Sequence, residues 1–149
     1  MAVTKSGLFY ATFADVLDTT QLALDLDLET HKLALFTNSI TPAFNTDTAY
    51  GVAPYNANEV SGTGYTSGGA ALTSTTISQS PTETLMWDAA DTSWTTSTIT
   101  NARCGLAYAD ALAGNNAICL IDFAGDFSTV AGTFLITWAA GGIFNIDLA

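Results

Sequence analysis

The chain has 149 residues, 48% of them hydrophobic, with 3 basic and 14 acidic side chains for a formal net charge of −11 at pH 7. So few cations cannot displace the counterions condensed on a phosphate backbone, which excludes a nucleic-acid backbone reader and a polybasic membrane-surface protein. The apolar content is far from a disordered composition, and the length supports one domain whose core needs neither metal nor disulfide. No apolar run reaches the ~18 residues of a spanning helix. The first residues carry only Lys5 and no signal-peptide cleavage pattern, so a soluble protein made in the cytoplasm is expected.

Phe9, Phe13, Val16 and Leu17 fall on one helical stripe and predict a short helix over residues 8–16. Leu22, Leu24, Leu26 and Leu28 alternate with Asp25, Asp27 and Glu29, a period of two with one apolar and one acidic face. Residues 1–30 therefore read as a helix and arm packed on the domain or on a partner, and residues 31–149 as the domain itself. Residues 32–36 predict a buried strand, ended by Thr37-Asn38-Ser39 and Pro42. Residues 44–61 are loop-like, pinned to the body by Phe44, Tyr50, Val52 and Tyr55, and residues 62–69 form a glycine-rich turn. Further strands are expected at 71–78, 84–88, 99–108, 117–123, 133–138 and 143–148, with turns at 89–91 and at Gly125-Asp126. Short strands at this spacing predict a mainly β fold, an antiparallel β-sandwich of jelly-roll or Greek-key type with one short N-terminal helix. Its core is expected to draw on Leu33, Leu35, Leu72, Ile77, Ile99, Leu106, Ile118, Leu120, Phe134 and Ile136.

Candidate sites are sparse. The glycine-rich stretch at residues 59–69 differs from a dinucleotide fingerprint, because Ser67 occupies the third glycine's place and a strand-like segment follows. A shaped loop without a ligand is expected, with positive φ at one or more of Gly62, Gly64 and Gly68. His31 is the only histidine, which excludes a zinc site built on several, and no Gly-x-Ser-x-Gly elbow is present. A surface or strand-end place is expected for His31. Asp88 with Asp91, and Asp122 with Asp126, read as turn aspartates, with calcium the minor alternative at the second pair. Cys104 and Cys119 lie in apolar segments and read as buried free thiols, a disulfide across a hairpin being the minority reading. No catalytic, cofactor-binding or metal-ligating residue is assigned.

Three stretches carry a resemblance. One is Asn58-Glu59-Val60-Ser61-Gly62-Thr63-Gly64-Tyr65-Thr66 with Gly68-Gly69 and Leu72. Another is Trp87-Asp88-Ala89-Ala90-Asp91-Thr92-Ser93-Trp94, followed by residues 98–103. The third is Ile121-Asp122-Phe123-Ala124-Gly125-Asp126 with Gly132-Thr133-Phe134, ending at residues 138–144. In order and spacing they resemble a family of small structural proteins of tailed bacteriophages, over about the last two-thirds of the chain. The resemblance implies a virion component without catalytic residues. Within that class, a small acidic Thr-rich β module suits a capsid decoration protein on the capsid exterior. Its expected partners are the major capsid protein and further copies of itself, as a homotrimer. A tail-tip or fibre protein is the alternative. A carbohydrate-binding module, with Trp87, Trp94 or Trp138 as a stacking platform, is the reading from another class. Residues 7–28 match nothing in the family, so Phe9, Tyr10 and Phe13 are the expected docking residues, with Phe44, Tyr50 and Tyr55 of the loop as the second choice. On that reading, removing residues 1–19 abolishes incorporation and leaves the β domain folded.

Overall fold

Leu33-Ala34-Leu35-Phe36 is apolar at every position, so a strand made of it must be covered on both faces. That is its place in the structure, a computed structural model that describes residues 2–19, 21–27, 30–79 and 83–148. In chain order the elements are β1 (Gly7–Leu8), α1 (Tyr10–Leu17), β2 (Lys32–Phe36), β3 (Ala70–Ala71), β4 (Thr76–Gln79) and β5 (Thr84–Asp88). They continue with β6 (Thr92–Ser97), β7 (Ala102–Tyr108), β8 (Ala117–Phe127), β9 (Gly132–Ile136) and β10 (Phe144–Asp147). The fold is mainly β, and its strands pair antiparallel.

A five-stranded sheet in the order β1-β8-β7-β2-β3 forms the middle layer. One face packs on a three-stranded sheet, β10-β5-β4, and on the β6-β9 pair, burying Leu33, Leu35, Trp87, Trp94, Ile99 and Phe134 between them. This is the expected sandwich. The opposite face buries Ala34, Phe36, Leu106, Tyr108 and Leu120 under Val3, Phe9, Ile40 and Tyr55, contributed by the N-terminal segment and the loop after β2. Most of the expected core is buried, but Ile77 and Ile136 are only half-buried, because their strands lie at the margin of the second layer.

The differences from expectation have local causes. The helix starts at Tyr10 because Leu8 is held in β1 opposite Cys119, and Phe9, extended at φ −91, donates its N–H to Ile118 O. Strand 71–78 is split into β3 and β4 where Ser74 takes φ +52. Gly125-Asp126 is not a turn: β8 runs on to Phe127, and Ala124 at φ +59 kinks it while its N–H bonds Asp122 Oδ1. Residues 21–27 keep the alternating exposure of a strand but join no sheet, and Leu28 and Glu29 lie outside the described residues. Side chains anchor the segment instead: Trp87 Nε1 donates to Leu26 O at 2.9 Å and Ile77 N to the Asp27 carboxylate.

That segment also corrects the reading of His31, which is at a strand end but fully buried. Its Nε2 lies 2.8 Å from Asp25 O, and its ring stands edge-on to Trp87 at 5.4 Å. Cys104 and Cys119 are buried free thiols that serve the cores on opposite faces of the middle sheet, so no hairpin disulfide joins them.

Candidate functional site

An eight-residue helix has no stability of its own, and α1 has neither a side-chain N-cap nor acidic residues in its first turn. Tertiary contacts hold it in place. Thr12 is fully buried and donates its hydroxyl to Ala117 O at 2.5 Å. Phe9, just before the helix, is fully buried against Phe44 at 5.3 Å and Tyr55 at 5.8 Å. As a docking residue Phe9 is therefore corrected: it belongs to the core. Tyr10, Phe13 and Leu17 follow at i, i+3 and i+7, one stripe of the helix. Tyr10 is 69% exposed and Leu17 85%, while Phe13 rests edge-on against Phe144 at 6.1 Å. The stripe borders an almost wholly apolar groove of about 530 Å³ completed by Leu8, Phe44 and Ile146.

The second set of expected docking residues is divided in the same way. Tyr55 is buried, with its hydroxyl on Asp47 Oδ2 at 3.1 Å, and is likewise corrected to the core. Tyr50 is half-buried and stacks flat on Tyr108, ring centroids 4.5 Å apart. Phe44 is half-buried beside Phe9, with the Lys5 ammonium 5.6 Å above its ring.

The glycine-rich loop is shaped by a residue that sequence reasoning passed over. Glu59 accepts four hydrogen bonds: Tyr65 Oη and Gly68 N at 2.7 Å on Oε1, Ser67 Oγ at 2.7 Å and Tyr50 Oη at 2.9 Å on Oε2. Burial pushes the Tyr65 and Tyr50 hydroxyls up, and the Glu59 charge adds to the effect. Gly62, Gly64 and Gly68 all have positive φ, as expected. At Gly62 the demand is also steric, since a Cβ would sit 1.8 Å from Thr98 O. With its acceptors filled, the carboxylate acts as a staple for the loop. Glu59→Ala would strand the partly buried Tyr50 and Tyr65 hydroxyls and the Gly68 amide, besides freeing the exposed Ser67 hydroxyl, and is expected to cost about 3 kcal/mol of unfolding free energy. Glu59→Gln, which keeps one acceptor oxygen, should cost less than half as much. Urea titration of the two variants checks the ranking.

Of the remaining acidic candidates, Asp88 accepts from Ala89 N and Asp91 from Trp138 N. Asp122 is paired with Arg103, Oδ1 to Nε at 2.9 Å, while Asp126 is exposed further along β8. Arg103 also donates from Nη2 to Val3 O, and Lys32 meets Asp110 at 3.1 Å. Each of the three cations thus has an intramolecular contact. Trp87 and Trp94 are buried and offer no ring face to a sugar, and Trp138 is half-buried with Nε1 on Ala90 O at 3.1 Å. No protein-family model, curated protein or solved structure matches the chain.

Proposed function

We propose that this chain is a structural protein of tailed-bacteriophage particles, a capsid decoration protein that binds the outer surface of the major capsid protein shell. The observation that carries the reading is the exposed apolar stripe of Tyr10 and Leu17 beside the groove at Phe13, Phe44 and Ile146. It lies in the stretch that departs from the phage family, where a particle-specific contact belongs. Docking is led by apolar and main-chain contacts, because Lys5, Lys32 and Arg103 already have partners within the chain. Burying such a surface stabilises by about 25 cal/mol per Å² of apolar area, so a standard interface of roughly 1,600 Å² repeated over a shell adds considerable resistance to internal pressure.

Particles lacking the chain, mixed with purified wild-type or variant protein, test this. Tyr10→Glu and Leu17→Glu change exposed positions and should fold, yet each should lower occupancy on particles at least tenfold. Wild-type binding should persist in near-molar NaCl, where ionic contacts are screened within ~3 Å. Full occupancy by the folded variants, or release of the wild type at moderate salt, would overturn docking through α1.

A further inference from the structure

Residues 127–146 contain no Asp, Glu, Lys, Arg or His, in a chain whose net charge is −11. This neutral stretch includes β9, and its partner β6 is uncharged as well. The β6-β9 pair is a sheet of only two strands, so the far edge of β9 presents main-chain donors and acceptors that no described strand takes up. Around that edge Val130 is 85% exposed, Leu135 56% and Phe127 51%. Phe127 and Leu135, with Phe123, Phe134 and Ile136, line a groove of about 420 Å³ between β8 and β9. An open strand edge with apolar side chains is a template for pairing unless something covers it.

We propose that a second copy of this chain covers it, meeting the β9 edge and the groove beside it. Charge selects this occupant. A basic partner would be met by a cluster of acidic residues, whereas β6, β9 and residues 127–146 carry none. The acids on β8, Asp122 and Asp126, sit next to Phe123 and Phe127 in sequence, and Asp122 is already paired with Arg103. Two copies that each carry −11 repel least where the charge-free segments face each other. Pairing of β9 with β9 about a two-fold axis gives a dimer, and a head-to-tail contact into the groove gives the trimer expected from the sequence. Both use the same face. The inference concerns the isolated chain and does not rest on the virion reading.

Light scattering on the eluting peak of the purified chain, at high micromolar concentration and two salt concentrations, tests it. The expected mass is two or three times the single-chain 15.5 kDa. Association should tighten severalfold as NaCl rises, because the repulsion between acidic copies is screened. Leu135→Glu and Val130→Glu should each weaken self-association at least tenfold with an unchanged circular-dichroism spectrum. Val130 is exposed enough to carry the test if Leu135→Glu fails to fold. Tyr10→Glu, on the α1 surface, should leave the mass unchanged. A single-chain mass at both salt concentrations, or an oligomer that survives both β9-face variants, would overturn the proposal.

Discussion

Deleting residues 1–19 is expected to leave a chain that does not fold, and Phe9→Ala alone to cost about 3–5 kcal/mol. The segment expected from the sequence to be a dispensable arm is built into the domain. Val3, Phe9 and Thr12 are fully buried, and Phe9 closes the second face of the middle sheet against Phe44 and Tyr55. Its backbone is tied along its length: Val3 N to Asn38 Oδ1, Val3 O to Arg103, Gly7 and Leu8 to β8, and Ser6 Oγ to Asp122 N. Removing it uncovers Ala34, Phe36 and Leu120, which have no polar face to turn to water. Far-ultraviolet circular dichroism and urea titration of the deletion and of Phe9→Ala are the check. A cooperative, wild-type-like transition in the deleted chain would contradict this account.

Cooperative unfolding in alkali is the second large effect expected. Burial pushes the Cys104 thiol up to about 12, with the charge of Asp122 adding, and pushes Cys119 up by burial alone. Burial raises the Tyr55 hydroxyl too, helped by Asp47, and raises Tyr108, helped by Asp110. Above the ordinary values of 9.0 for the thiols and 10.0 for the phenols, the unfolded chain has lost protons that the native state still holds. Unfolding free energy therefore falls as pH rises, by up to about 1.4 kcal/mol per pH unit for each such group. Below pH 9 this contribution is fully in place. A domain stability of ~5–15 kcal/mol is consumed by roughly pH 11–12 when four groups act together. Tyrosinate absorbance and loss of β ellipticity should rise in one step. Tyrosines that titrate near their ordinary value while the fold persists would contradict the assignment of these groups to the core.

What the sequence made legible follows periodicity. The strands at 32–36 and 84–88 coincide with β2 and β5, and the glycine-rich loop has the backbone its glycines required. Signals that serve two structures were ambiguous. Gly125-Asp126 suits a turn, but Gly and a residue of positive φ equally suit a bulge inside a long strand, and β8 uses them so. Residues 21–27 have a strand's alternation without a strand's partner, since hydrogen-bond partners are chosen by the fold and not by the pattern. Aromatics in loops carry no period at all. Phe9 and Tyr55 point inward while Tyr10 points outward, and nothing in their neighbours distinguishes them. His31 sits beside an acidic run that suggests water, yet residues 21–27 fold back over it. Glu59 was hidden for the opposite reason: its four donors come from residues 50, 65, 67 and 68, and only the closed loop gathers them.

The proposed role on a phage capsid stands or falls on how many copies of the chain a particle carries. Particles produced from the genome that encodes the chain are purified, and the chain is quantified by mass spectrometry against the major capsid protein. Hundreds of copies per particle, in a fixed ratio to the shell subunit, are expected. A few to tens of copies would move the protein to the tail, and its absence from purified particles would contradict the virion reading altogether.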